Sequence, residues 1–370
     1  MIAAPIRPAI PQLDQLTGLR GIAAWFVVLY HVRLATTGLF PPTMIDVFAK
    51  GYLAVDLFFM LSGFVMWLNY GARLRADGWP GARRFWWKRV ARIWPLHLLV
   101  LAAMIAFAAV LVATGRSTAG YPFAELPLHI LLLQNWGFTA DLAWNHPAWS
   151  ISTELAAYLL FPALVLAARW ETMALTSLAL VAAFLLAGLH SVFALAGYSE
   201  LGMAIPQLGL WRCLAGFATG SVLALVWQRL EGGRGRTAVS FGLVSVALAV
   251  GGIAADLPET AFVPAAFATG LLALALGTGP FARLLASSPL QWLGDLSYAT
   301  YLSHFFLFIL FKIVFVDDDG MLGAGELGLF LAVVLAASAA LFHGFEKPAQ
   351  RWLNARAPRG FERDTLKAPS

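Results

Sequence analysis

Ten stretches of this chain read as apolar runs of about 20 residues, the length a helix needs to cross the hydrocarbon core of a bilayer. They lie near residues 17–36, 52–70, 92–113, 149–168, 171–190, 207–228, 237–254, 262–278, 290–313 and 327–345, separated by charged or Gly/Pro-rich breaks. Composition points the same way. Of 370 residues, 60% are hydrophobic and only 12% charged, where an average soluble chain carries about 25% charged residues. Fourteen Trp and 27 Phe leave too little polar surface to coat a globule in water. The expectation is an all-α, polytopic integral membrane protein with about ten transmembrane helices. A further apolar run, Leu126–Phe138, is too short to cross easily and is expected to form a re-entrant or interfacial helix.

The cations orient these spans. With ten spans and a cytoplasmic N-terminus, all but five of the 25 Lys and Arg fall on cytoplasmic ends, the exceptions being Arg33, Lys50, Arg116, Arg212 and Lys312. The acidic cluster Asp317–Asp319 falls outside. If Leu126–Phe138 crossed, every later loop would flip and expose the Arg229–Arg236 loop and the basic C-terminal tail. The positive-inside rule therefore places both termini in the cytoplasm. Residues 1–356 are expected to form one transmembrane domain, and 357–370 a disordered cytoplasmic tail. The net charge of +5 belongs to cytoplasmic loops, so no nucleic-acid partner is expected.

Other classes fall away on residue arithmetic. Cys213 is the single cysteine, which excludes a disulfide framework and a multi-cysteine metal site. The seven His show neither His-x3-His nor His-Glu-x-x-His spacing, so no metal is expected. There is no Gly-x-Ser-x-Gly elbow and no Walker loop. The first fifteen residues, with three prolines, lack a signal cleavage site.

Ionisable groups inside spans are costly and are functional candidates for that reason. In the first span, Arg20 and His31 are eleven residues apart, three turns along one helical face. His31 can accept and return a proton near neutral pH. The second span carries Asp56 near its outer end and Ser62-Gly63 at mid-depth, where small residues permit close approach of a ligand or of another helix. Before Pro95, Arg89 and Arg92 share a face at a cytoplasmic helix start rich in Trp and Phe. They suit a phosphate ligand bearing a base, or lipid head groups, while topology alone also calls for basic residues there. Trp149, Ser150 and Glu154 open the fourth span; the carboxylate there could orient His31, take a proton or bind a hydroxyl-rich substrate. His304 adds a second mid-membrane imidazole. Glu346-Lys347 closes the last span as an end-cap ion pair.

Taken together these segments resemble acyltransferase family 3, integral membrane proteins that include bacterial O-acetylases of surface glycans. Arg20 and His31 match its Arg-x10-His element, and Val55-Asp56-Leu57-Phe58-Phe59-Met60-Leu61-Ser62-Gly63-Phe64 its second block. Arg89-x-x-Arg92 before Pro95, Trp149-Ser150-Ile151-Ser152-Thr153-Glu154, Ser297-Tyr298 through Tyr301 to His304, and Glu346-Lys347-Pro348 follow in the family's order, from Leu13 to about Trp352. The chain departs from the pattern after Glu154, where Leu155, Ala156 and Ala157 replace the second Glu and its neighbours often found there.

The resemblance implies a stand-alone acyltransferase of the bacterial cytoplasmic (inner) membrane. It would move an acyl group, acetyl by default, from cytoplasmic acetyl-CoA or another acyl-CoA to a hydroxyl of a glycan or glycoside acceptor at the outer face. It implies catalytic roles for His31, Glu154 and Arg20 and a donor-binding role for Arg89 and Arg92. Asp56, Ser62, Gly63, Trp149, Ser150 and His304 would serve substrate binding or structure. Membrane lipid is the remaining partner. A proton-coupled solute transporter is the competing class, in which the same ionisable residues would relay protons; a lipid-binding scaffold is the third.

Overall fold

The computed structural model describes residues 13–230, 234–316 and 320–357. The tail expected to be disordered, beyond Ala357, and the acidic Asp317–Asp319 lie outside the described residues. Among those described, every regular element is helical. Helix α1 (Asp14–Val32) leads to the short α2 (Pro42–Ala49). Helix α3 (Ala54–Met66) continues through a π-helical turn at Trp67–Gly71 into α4 (Ala72–Asp77). Helix α5 (Trp79–Ala113) has 35 residues, about 52 Å of helix, so its basic first turns extend well beyond the expected span. The chain continues through α6 (Leu126–Leu131), α7 (Ala148–Ala167), α8 (Leu175–Leu195), α9 (Ile205–Arg229) and α10 (Arg234–Ala254). Helices α11 (Glu259–Leu276), α12 (Pro280–Leu285), α13 (Ser288–Phe315) and α14 (Ala324–Leu341) follow, and a second π-helical turn at Phe342–Glu346 joins α14 to α15 (Lys347–Ala355).

Nine helical stretches among the described residues are long and apolar enough to cross a membrane, and each coincides with an expected span. The tenth expected span coincides with α1, a helix of 19 residues that carries Asp14, Gln15, Arg20 and His31 and is not one of the nine. The Leu126–Phe138 run is helical only over the six residues of α6, about 9 Å and too short for a crossing. It ends at Leu132 in the left-handed backbone region (φ 58°). The irregular chain beyond is buried in the protein at Leu132, Gln134 and Asn135, where the side-chain amide nitrogens of Gln134 and Asn135 and the Asn135 backbone N–H donate to protein oxygens in place of lipid.

The helices with the most extensive contacts are α1 with α13, α3 with α9 and α10 with α11. The first two pairs depend on glycine. A Cβ at Gly63 of α3 would collide with the Phe217 carbonyl of α9, and one at Gly220 of α9 with the Met60 carbonyl of α3. On α1, Gly18 lies against the Leu285 carbonyl and Gly21 against the backbone of Leu293 and Gly294. This is small-residue packing of the kind that drives helix association in lipid, where apolar side chains gain little by leaving the tails. Helices α8 and α10 bury little of themselves and form the periphery.

One ion pair locks α3 to α9. Arg212 donates from Nε to Asp56 Oδ1 and from Nη2 to Asp56 Oδ2, both at 2.6 Å, with a further bond from Nη2 to the Tyr52 carbonyl at 3.1 Å. Both side chains are buried, Asp56 4% and Arg212 1% exposed, and the guanidinium lies 5.3 Å from the Trp149 ring centroid. Burying two charges repays its desolvation only through such bidentate geometry, and removing one partner leaves the other uncompensated. Asp56→Ala or Arg212→Met should therefore cost about 3–5 kcal/mol, while the apolar pair Asp56→Leu/Arg212→Met recovers most of that loss. Thermal unfolding of the four proteins in detergent checks it; equal losses for single and double variants would contradict the locked pair.

Candidate active site

Helices α1, α3, α5, α7 and α13 enclose a cavity of about 510 Å³. Three guanidinium groups gather at one end, each held differently. Arg20 of α1 donates from Nε and Nη2 to the Gly294 carbonyl of α13 at 3.2 and 2.9 Å. Arg89 and Arg92 are three residues apart on α5 and so point the same way. Arg92 forms an ion pair with Glu346, 2% exposed and carried by the π-helical turn after α14, and lies over the Tyr298 ring at 5.1 Å. Arg89 donates from Nη2 to the Tyr70 hydroxyl at 3.0 Å and lies over the rings of Tyr70 and Tyr158 at 5.2 and 5.7 Å. Its Nε is buried without a hydrogen-bond partner among the described residues. A buried charged donor left unsatisfied is expensive, and the cheapest remedy is an anion in the cavity it lines.

The cavity's one carboxylate, Glu154 of α7, accepts at Oε1 from Ser62 Oγ of α3 at 2.5 Å and from Tyr158 Oη, one turn further along α7, at 2.6 Å. Its Oε2 has no protein partner among the described residues, and the side chain is only partly buried. Toward the other end Ser150 and Tyr301 share a hydrogen bond of 2.8 Å, and both lie at 3.1 Å from the Pro147 carbonyl. Tyr301 packs edge-on against Phe58 and lies 6.1 Å, centroid to centroid, from His304.

His304 belongs to an imidazole pair just outside the cavity lining. His304 Nε2 is 3.1 Å from His31 Nδ1. Each ring also faces the carbonyl one turn back in its own helix: His31 Nδ1 lies 3.0 Å from Val27 O, and His304 Nδ1 lies 3.0 Å from Thr300 O. His304 is fully buried and His31 partly so. Tyr30 and Phe305 stand edge-on to His31, and His146, from the loop before α7, stacks on Phe305 with centroids 4.7 Å apart.

Of the residues singled out from sequence, Arg20, Arg89, Arg92, Ser62, Ser150 and Glu154 come together on one cavity, and His31 meets His304 beside it. Asp56, Gly63 and Trp149 do not line that cavity. Asp56 is committed to Arg212, Gly63 to the close approach of α9, and Trp149 packs on Phe59 with centroids 5.8 Å apart. One sequence reading changes and one narrows. Of the roles open to Glu154, orienting His31 is not the one its contacts serve: the group that bonds His31 is His304, and the partners of Glu154 are hydroxyls. Glu346 is not an end cap paired to Lys347; it holds Arg92 from 254 residues away. Tyr70 and Arg212 were not legible as partners, because a π-helical turn and a contact between distant spans leave no local pattern.

Residues 13–343 match the acyltransferase domain that defines this family. The chain belongs to acyltransferase family 3. Among relatives, the acyltransferase MdmB of Streptomyces mycarofaciens is 30% identical over 389 residues, covering 95% of each chain. Protein 2 in the picA locus of Rhizobium radiobacter is 42% identical over 103 residues, 28% of this chain and 49% of that protein. No solved structure matches. The family membership and the apolar helices together make the chain a multi-pass membrane acyltransferase.

The hydroxyl cradle of Glu154 can be tested without knowing the substrate. Charge-assisted hydrogen bonds are stronger than neutral ones. A double-mutant cycle on Ser62→Ala and Glu154→Gln, read by unfolding in detergent, should return a coupling of about 1–2 kcal/mol. A coupling near zero would mean that the two side chains do not act together.

Proposed function

We propose that this acyltransferase moves an acyl group, acetyl by default, from cytoplasmic acyl-CoA to a hydroxyl of a glycan or glycoside acceptor at the outer face of the bacterial cytoplasmic membrane. The observation that carries the reading is the single cavity with Arg20, Arg89 and Arg92 at one end and Tyr301, beside the His31–His304 pair, at the other. Its volume of about 510 Å³ lies within the range that holds a drug-sized ligand, roughly 300–1,000 Å³. That suits a pantetheine arm with a short acyl group, leaving the phosphorylated adenosine at the basic mouth. The buried, unpartnered Nε of Arg89 fits a phosphate oxygen, with Arg20 beside it, while Arg92 is held by Glu346. The Lys/Arg distribution supports a cytoplasmic position for this mouth and for both termini.

In this reading the acyl carbonyl lies toward Tyr301, and the acceptor hydroxyl approaches from the side of His31, Tyr30 and Phe305. His31 takes the hydroxyl proton as the oxygen attacks the thioester carbon, and returns it to the departing thiolate as the C–S bond breaks. Glu154 binds acceptor or donor polar groups through its unoccupied Oε2. A mid-membrane site would explain why a soluble fold does not suffice. The acyl group crosses while its polyanionic carrier stays behind.

The test uses inside-out membrane vesicles with native acceptor and acetyl-CoA labelled in the acyl group, following thioester loss and label in lumenal or membrane-bound glycan. Wild type should transfer label. His31→Ala should lower kcat by about 10²–10⁴-fold, the scale of general acid–base catalysis. Arg89→Ala should raise KM for the donor about tenfold or more, as expected from losing a charge-assisted bond of about 1.5–3 kcal/mol. Label retained on wild-type protein given acyl-CoA alone would assign His31 an acyl-carrier role instead. Gradient-driven solute flux without thioester consumption would replace the acyltransferase reading for this site with transport.

A further inference from the structure

Within that proposed reaction, the hydrogen bonds of the imidazole pair leave one consistent assignment of protons. A carbonyl oxygen only accepts. Thr300 O, 3.0 Å from His304 Nδ1, therefore requires a proton on that nitrogen, and Val27 O, 3.0 Å from His31 Nδ1, requires one there too. With both rings neutral, His304 Nε2 is a bare lone pair and His31 Nδ1–H is a donor, and these are the two atoms that meet at 3.1 Å. The His31 proton is shared between Val27 O and His304 Nε2. His31 Nε2 is consequently left unprotonated, and it has no hydrogen-bond partner among the described residues. Had the shared bond run the other way, His31 Nδ1 would turn a lone pair toward Val27 O.

We propose that His304 is a positioning residue that fixes His31 in the Nδ1–H tautomer, so that its bare Nε2 is the atom that removes the acceptor hydroxyl's proton. This inference rests on the acyltransferase reading above for the identity of the proton, but the tautomer itself follows from geometry alone. His304 is suited to the task because it is anchored at its far nitrogen by its own helix, is fully buried, and so can neither rotate away nor exchange its partner for water. When His31 gains a second proton, the Nδ1–H bond to His304 Nε2 becomes charge-assisted and strengthens, stabilising the state that follows proton transfer. The other groups around His31 do not offer this bond. Tyr30 and Phe305 present ring edges, His146 stacks on Phe305, and the Arg33 guanidinium lies over Tyr30 at 4.1 Å.

Two substitutions separate positioning from mere packing. His304→Asn keeps a donor near the Nδ1 position for Thr300 O but has nothing at the Nε2 position. His304→Gln places an amide oxygen near the Nε2 position, able to accept from His31. His304→Asn should lower kcat about 10- to 100-fold with KM for acyl-CoA changed less than about twofold, below the full loss of the base, and His304→Gln should recover most of that loss. Equal kcat in wild type and His304→Asn, or equal loss in Asn and Gln variants, would overturn the proposal. The wild-type protein gives a second measurement that needs neither variant to fold. Ring-15N NMR with histidine labelling, His31 being assigned by subtraction of the His31→Gln spectrum, should show His31 protonated at Nδ1 and bare at Nε2. The opposite tautomer would overturn it. If His31→Ala retains acyl transfer, the functional reading fails while the tautomer result stands on its own.

Discussion

Everything at the site depends on how closely α1 and α13 approach. Gly21 on one helix and Gly294 on the other let backbone meet backbone, with no room for a Cβ on either side, and Gly18 is seated in the same way against Leu285 at the end of α12. That contact sets the register in which Arg20 reaches the Gly294 carbonyl at one end and His31 meets His304 at the other. The two ends are eleven residues apart on α1 and ten on α13, about 15–16 Å of helix on either side. A rigid, glycine-seated helix pair therefore acts as a ruler that carries a cation and an imidazole at fixed separation. In lipid, where apolar burial supplies little force between helices, such close van der Waals contact is the main source of that rigidity.

The polar groups of the interior form a graded series. Arg212 and Asp56 meet in a bidentate pair that binds α3 to α9, with Arg212 Nη1 left without a partner among the described residues. Arg92 is held by Glu346, Arg20 by a carbonyl, and Glu154 by two hydroxyls on one oxygen only. Arg89 has a phenol and two ring faces but an unsatisfied Nε. Groups left partly unsatisfied in a low-dielectric interior hold bonding capacity in reserve, and they do so where a charged ligand would find it. Asp56 differs from Glu154 in this respect, both its oxygens being bonded to Arg212, while Glu346 keeps a partnerless Oε2 but does not line the cavity.

Much of this architecture was legible from residue order. Nine apolar runs became helices long enough to cross a membrane, and the short Leu126–Phe138 run was separated from them by length. Arg20 and Glu154 were recognisable as charges inside apolar runs, whereas Arg89 and Arg92, which topology alone would explain, stood out by their spacing among aromatics before Pro95. The pairings were less legible. Asp56 and Arg212 lie 156 residues apart, and each looks uncompensated until the helices are packed. Glu346 sits beside Lys347, so a local ion pair accounted for it; the π-helical turn turns it toward Arg92 instead. Orienting His31 was one of three roles open to Glu154 in the sequence, because a carboxylate can hold an imidazole. Which helix stands beside α1 is a property of glycine packing, and that brought α13 and its histidine there.

The segment following α6 bears on the order in which the protein is assembled. Asn135 donates from its backbone N–H to Ser152 Oγ on α7 and from Nδ2 to the Ile205 carbonyl at the start of α9, and Trp136 donates to the Ser152 carbonyl. Asn145 donates to the Leu302 carbonyl on α13. All of these partners are synthesised later than the segment itself, the last of them by more than 150 residues. When it leaves the ribosome, these Asn and Trp donors lack their acceptors, although the N–H groups of Leu133, Trp136 and Trp144 have the earlier Leu128, Leu133 and Gly120 carbonyls. Those donors are satisfied only as α7, α9 and finally α13 arrive. The cavity, whose Ser150 and Tyr301 bond across the same joint, therefore lacks one of its walls in a chain truncated before α13.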